Sequence, residues 1–269
     1  MEIPPWLEDL LMAGCDEVFR IWPQPRPSDE QLSRCKIIAH RGAHNRPGLP
    51  ENTLAAFQVA LAEPEVSGIE LDVRWTRDLV PMVFHDADLL RMFGEPRPLA
   101  SFTATELKER FPLIPTLQEA IDLCRGRAHL MIEIKDEPYP QVEQQNRILS
   151  DLLPGWQPQQ DFHLLLLDPE IADKLTFAPR SCMLLVAFFN VEEFHQHVQQ
   201  QGFGGMGGHY LLVRNAITQD LLEAGRFVGT GYPKSRNALF RELNRGVEWV
   251  FSNDAVELAR LLRQAREFR

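Results

Sequence analysis

Cysteine is scarce in this chain of 269 residues, and its four thiols, Cys15, Cys35, Cys124 and Cys182, stand far apart with no CxxC pair. That argues against a disulfide framework and a cysteine-based zinc site, and fits reduced thiols in a cytosolic protein. Long hydrophobic runs are missing as well. No stretch approaches the ~20 apolar residues of a membrane span, so stable membrane insertion is not expected. The start, Met1-Glu2-Ile3-Pro4-Pro5, has neither the basic residues nor the apolar core of a secretory signal, and the expected location is cytoplasmic. Positive charge is in deficit: 28 Lys and Arg against 38 Asp and Glu leave a net charge of −10. A surface of that sign argues against nucleic acid as a partner and against docking on anionic lipid.

What the chain does have is an ordinary globular balance, 44% hydrophobic and 25% charged, in a length that suits one α/β barrel of about 250 residues. Residues 1–35 read as an N-terminal extension. Trp6, Leu7, Leu10, Leu11, Val18, Phe19 and Trp22 make a helix-like apolar stripe that stops before Pro23, and the expected role is to cover one end of the main domain. From residue 36 to 269 the pattern alternates strand, loop and helix. Strands are expected at 36–39, 68–73, 80–84, 129–134, 162–166, 182–187, 210–213, 226–229 and 247–251. Helices are expected at 52–62, 116–124, 140–153, 169–175, 191–200, 216–224 and 235–245. Thr116 followed by Glu119 reads as a helix cap. The glycine-rich stretch from Gly202 to Gly208 lacks the Lys-Ser/Thr of a P-loop, which leaves a phosphate cradle or a bend in a loop or strand.

Chemistry-bearing residues concentrate between His40 and Asp86. His40-Arg41-Gly42 and His85-Asp86 each come after a short apolar run, and Glu70 and Asp72 lie two apart, on one face if that stretch is a strand. Met131-Ile132-Glu133-Ile134-Lys135 repeats the device. Imidazoles, carboxylates and a lysine at several strand ends meet at one point in a parallel barrel or sheet. Carboxylates converging among apolar neighbours repel one another unless a cation sits between them, and all-oxygen ligands suit Mg²⁺ or Ca²⁺ rather than zinc. His40 and His85 form a candidate acid/base couple, since imidazole exchanges protons near neutral pH. Arg41 has the fork to hold phosphate oxygens, and Gly42 would let backbone approach a ligand. Glu51 and Asn52 have two readings, a helix cap or support of the metal and His40.

His-Arg-Gly, Glu-Asn-Thr, Glu-x-Asp, Thr-x-Asp, His-Asp and Glu-Ile-Lys, in this order over Lys36 to Lys135, resemble the glycerophosphodiester phosphodiesterase family, with a weaker continuation at Phe251-Ser252-Asn253-Asp254. The resemblance implies a (β/α)₈ TIM barrel that hydrolyses glycerophosphodiesters to sn-glycerol 3-phosphate and an alcohol with a divalent metal. By motif it implies Glu70, Asp72 and Glu133 as metal ligands, His40 and His85 as the catalytic pair, and Arg41 and Lys135 as phosphate holders. Three departures stand out, one being a segment after His85-Asp86 shorter than is common in the family, which implies a more open pocket. Leu79 replaces the glycine of the family's Thr-x-Asp-Gly turn, and Val228-Gly229-Thr230-Gly231-Tyr232 replaces a Trp-Thr-Val-Asn-like run, removing an aromatic wall. An alternative is a lysophospholipase D with Phe188, Phe189 and Phe203 lining an acyl groove. A metal-dependent aldolase or isomerase using Lys135, and a non-catalytic binding protein, are the readings from other classes. The alcohol group, the oligomeric state and the choice between Mg²⁺ and Ca²⁺ are not legible here.

Overall fold

The computed structural model describes residues 19–267. Eight parallel strands form the barrel: β1 (Lys36–His40), β2 (Val66–Trp75), β3 (His129–Ile134), β4 (Phe162–Leu166), β5 (Met183–Ala187), β6 (Gly205–His209), β7 (Phe227–Gly231) and β8 (Trp249–Ser252). Closure comes from β1, which pairs in parallel with both β8 and β2. The strands are near-continuous apolar runs because both faces are covered. One face packs under the helices in the main core, while Ile38, Met131, Leu165 and Leu184 meet inside the barrel. The expected cap at Thr116 is present as a reciprocal capping box with Glu119.

Three assignments differ from the sequence reading. The stretch expected as a strand at 80–84 is not a barrel strand. Pro81–Val83 folds back antiparallel onto β2, with Val73 opposite Val83. The strand expected at 210–213 lies earlier, at Gly205–His209, inside the glycine-rich stretch. Glycine is poor in strands by propensity, but the backbone there comes so close to its neighbours that a Cβ at Gly205 would stand 2.1 Å from the Phe227 carbonyl. The cradle reading is therefore replaced by a barrel strand. At 169–175 the helix is a 3₁₀ segment, Pro169–Lys174.

The connection from Asp86 to Pro115 carries a small core of its own, built from Phe84, Leu89, Leu99, Phe102 and Phe111. Most of the expected covering stripe, residues 1–18, lies outside the described residues. Beyond it, the helix Asp29–Arg34 is tied to the barrel: Leu32 sits in the main core, and Gln31 Nε2 donates to the Leu243 carbonyl at 2.8 Å. Among the described residues no helix is long and apolar enough to cross a membrane.

Leu79 occupies the left-handed region (φ 59°) at the turn between β2 and the Pro81–Val83 strand, yet its side chain is buried in the main core. The conformation costs about 1 kcal/mol for a non-glycine residue, whereas burying the leucine is worth about 2 kcal/mol. Leu79→Gly should therefore lower unfolding stability by about 1 kcal/mol net, read as a fall in the urea midpoint. A rise would mean that strain outweighs packing.

Candidate active site

Register explains why the acidic residues meet. His40 on β1 is paired with Glu70 on β2, and Asp72 is paired with Glu133 on β3. Alternate positions on a strand share a face, so three neighbouring strands deliver these side chains to one point at their C-terminal ends. Glu70, Asp72 and Glu133 are all buried and offer ligand oxygens within 4.8 Å of one another. His85 arrives by another route. It comes just after the antiparallel Pro81–Val83 strand, and the Phe84 amide donates to the Asp72 carbonyl at 2.9 Å, which brings the returning chain to the barrel rim.

Lys135 lies 2.5 Å from Asp72 Oδ1 and is also paired with Glu133. Arg41 Nε stands 3.2 Å from Asp72 Oδ2. The two cations make the carboxylates unequal. Burial works to raise the Asp72 carboxyl, but Lys135 and Arg41 outweigh it and hold the group well below the usual carboxylate range. Glu70 goes the other way, pushed up by burial and by the charges of Asp72 and Glu133. Its Oε1 is buried with no hydrogen-bond partner. An orphaned acceptor in a cluster of three carboxylates is what a hard cation would satisfy, so the donor set fits Mg²⁺ or Ca²⁺. Lys135 is disfavoured as a Schiff-base amine. Burial opposes its charge, but Asp72 and Glu133 prevail and keep it an ammonium.

Each histidine is fixed through Nδ1. His40 Nδ1 is 2.6 Å from Asn253 Oδ1, and its Nε2 is 3.7 Å from Glu70 Oε2. Burial and the Arg41 charge keep His40 well below the ordinary imidazole value. His85 Nδ1 is 2.7 Å from Asp86 Oδ1, whose other oxygen accepts from Arg91 Nε at 2.6 Å. Arg91 also reaches Glu51 at 2.5 Å, and Glu51 accepts from Arg41 at 3.3 Å. A chain of charges thus links His85 to the carboxylate cluster.

The helix Leu54–Leu61 is capped by Thr53, not by Asn52 or Glu51. Asn52, held at φ 56°, instead donates to Asp72 Oδ2 at 2.7 Å. Gly42 (φ 83°) is required by the helix rather than by a ligand, since a Cβ there would fall 2.9 Å from Ala56. Asp86, Arg91 and Asn253 join the hydrogen-bond network around His85 and His40, and sequence reasoning gives none of them a role of its own. Asp86 and Asn253 sit inside the His-Asp and Phe-Ser-Asn-Asp motifs, whereas Arg91 comes from the irregular connection and carries no local signal.

A cavity of about 250 Å³ opens beside the cluster, with His40, Glu70 and Glu133 in its wall. Phe188 and Phe189 line it, whereas Phe203 is fully buried elsewhere in the main core. Tyr232 restores an aromatic contact in the departed run, its ring edge-on to His40 with centroids 5.2 Å apart.

Residues 40–171 match the model of the glycerophosphoryl diester phosphodiesterase family. Glycerophosphodiester phosphodiesterase 1 of Homo sapiens is 30% identical over 205 residues, covering 64% of this chain and 60% of that protein. The glycerophosphodiester phosphodiesterase of Caldanaerobacter subterraneus subsp. tengcongensis is 38% identical over 122 residues, 40% of this chain and 49% of the relative. The chain thus spans roughly half the length of these relatives, as the 60% and 49% figures give. Among solved structures, a phosphodiesterase of Oleispira antarctica in complex with the product sn-glycerol-3-phosphate superposes with TM-score 0.72 at 21% identity, covering 87% of this chain and 99% of that one. The glycerophosphodiester phosphodiesterase of Thermotoga maritima gives 0.67 at 23% identity, over 83% and 96%; both likenesses show the shared barrel. Over residues 40–171 and in its named relatives, the chain is similar to the glycerophosphoryl diester phosphodiesterase family.

Proposed function

We propose that the protein hydrolyses glycerophosphodiesters to sn-glycerol 3-phosphate and an alcohol, with His40 and His85 as the proton-transfer pair. The observation that carries this reading is the in-register meeting of Glu70, Asp72 and Glu133 beside two histidines, each pinned at Nδ1. The three carboxylates would hold a divalent cation, which supplies positive charge to the phosphate oxygens as negative charge grows in the transition state. Lys135 and Arg41 add fixed positive charge beside the same cluster, so an anionic diester is drawn into a protein that is negative overall.

The two hydrogen bonds support a division of roles between the histidines. His40 donates Nδ1–H to the neutral Asn253 oxygen, which leaves Nε2 with its lone pair. That atom takes the proton from the nucleophile, either water or the glycerol 2-hydroxyl. His85 donates Nδ1–H to a carboxylate, Asp86, an arrangement that steadies an imidazolium. Its Nε2–H supplies the proton to the departing alkoxide. The bond from phosphorus to the alcohol oxygen breaks, one water is consumed, and both imidazoles return to their starting state.

The test is ³¹P NMR of glycerophosphocholine, glycerophosphoethanolamine and glycerophosphoinositol incubated with the protein and Mg²⁺ or Ca²⁺. Appearance of sn-glycerol 3-phosphate from at least one supports the reading. Phosphocholine or phosphoethanolamine in its place would mean that the opposite P–O bond is cut.

A further inference from the structure

Tyr232 holds a backbone conformation that its own sequence opposes. It follows the end of β7 and precedes Pro233, and a residue before proline is pushed towards extended backbone. Instead it has φ 76°, in the left-handed region that a bulky side chain disfavours. Arg41 and Asn52, both at the carboxylate site, also have positive φ. Such strain persists only where the surroundings impose it, and it gathers where a site needs one geometry. Here β8 imposes it. The Tyr232 amide donates to the Phe251 carbonyl at 2.7 Å, and the Ser252 hydroxyl donates to the Pro233 carbonyl at 2.8 Å. The next residue, Asn253, is the one that holds His40.

The strained turn sets the Tyr232 ring against His40. The two rings meet at right angles, with centroids 5.2 Å apart and planes at 89°, a favourable aromatic arrangement. Tyr232 is in turn neighboured by His209 at 6.0 Å, and His209 stacks at 4.8 Å on the fully buried Tyr210. Rotation of an imidazole about its Cβ–Cγ bond has broad wells. A single hydrogen bond at Nδ1 therefore leaves the ring plane room to tilt, and a tilt turns the Nε2 lone pair away from the nucleophile. A ring packed against the imidazole removes that freedom. We propose that Tyr232 is a positioning residue for His40: its ring fixes the imidazole plane, while Asn253 fixes the tautomer. This rests on the phosphodiesterase reading, in which His40 takes the nucleophile's proton, and adds the group that aims the acceptor. The end of β8 then supplies both restraints, Asn253 directly and Tyr232 through the bonds from Phe251 and Ser252.

The experiment follows hydrolysis of the best glycerophosphodiester by variants at position 232. Tyr232→Leu is expected to lower kcat by about ten- to a hundredfold with KM held within about threefold, as a misaimed group does. Tyr232→Phe keeps the ring and should rescue most of that loss. Combining Tyr232→Leu with Asn253→Ala should cost less than the product of the two single losses, because both act on one imidazole. If the leucine variant does not fold, Tyr232→Asn removes the ring with a residue that tolerates left-handed backbone. A phenylalanine variant as slow as the leucine one would assign the role to the hydroxyl. A raised KM at unchanged kcat would make Tyr232 a substrate contact, and losses that multiply would make the two residues independent. Each of these overturns the inference and leaves the phosphodiesterase intact. NMR of metal-free protein labelled with ¹⁵N-histidine needs no turnover. At pH 8 the His40 ring signals, identified by their absence in His40→Ala, should show one Nδ1–H tautomer in the wild type and in Tyr232→Phe. In Tyr232→Leu or Tyr232→Asn they should average between tautomers, since a freed ring also loosens its bond to Asn253. If the wild type hydrolyses no diester the phosphodiesterase reading fails, and these signals still decide the positioning: averaging supports it, and unchanged signals overturn it.

Discussion

Alanine at His85 is expected to lower kcat/KM for the protein's best glycerophosphodiester by about two to four orders of magnitude, the usual worth of a positioned acid or base. His40→Ala should fall as far. Both variants should keep the wild-type far-UV spectrum and unfold within a few degrees of it, because neither ring fills the barrel core: His85 is 30% exposed in its side chain and His40 13%. The two histidines should differ in how they respond to their partners. Asp86→Asn removes the charge that steadies the His85 imidazolium but keeps the hydrogen-bonding shape, so turnover should drop most with substrates whose alcohol is a poor leaving group. A substrate with an activated leaving group, such as a p-nitrophenyl diester, needs little protonation and should be spared. Asn253→Ala frees the His40 ring and should slow both substrate types alike. Turnover close to wild type in both alanine variants would end the proton-transfer assignment.

The second large effect concerns Glu70. Metal-free protein holds three carboxylates at one buried point, and the Glu70 carboxyl is raised by burial and by its two neighbours. A group with a raised folded-state pKa stabilises the fold below its unfolded pKa, and that contribution is lost as pH rises through the raised value. Glutamine at 70 copies the protonated form and removes the loss. Glu70→Gln should therefore raise the metal-free melting temperature at pH 8 by roughly 2–4 °C, the shift that about 1 kcal/mol brings in a domain of this size. The same variant should lose most of its melting shift on adding Mg²⁺ or Ca²⁺, and activity should fall at least a hundredfold. Because cation binding favours the ionised carboxyl, apparent metal affinity of the wild type should increase with pH. A variant with the wild-type melting shift on adding metal would show that Glu70 is not a ligand.

The site is more legible in the sequence than the strand map, for a physical reason. Glu70, Asp72, Glu133 and Lys135 announce themselves because charge at alternate positions of an apolar run is costly unless a partner waits at that face, and local spacing alone reveals the pattern. β6 is hidden because its identity depends on tertiary packing. Gly204, Gly205, Gly207 and Gly208 have little strand propensity, and only the near contact with β7 makes a glycine-rich strand the one that fits. His85 reaches the site by a path that composition does not reveal. The run before it has strand composition, but the turn at Thr76 to Leu79 reverses it, so the chain reaches the rim as the return arm of a hairpin. Asn52 and Arg91 mark the limit of local reading. Their partners, Asp72 and Asp86 with Glu51, are set by how loops fold over the barrel mouth.

Release of sn-glycerol 3-phosphate from a glycerophosphodiester, monitored before EDTA, after EDTA and after returning Mg²⁺ or Ca²⁺, tests the central claim most directly. The carboxylate cluster predicts that the product stops with the chelator and resumes with the ion. Release that continues undiminished in excess EDTA would contradict it.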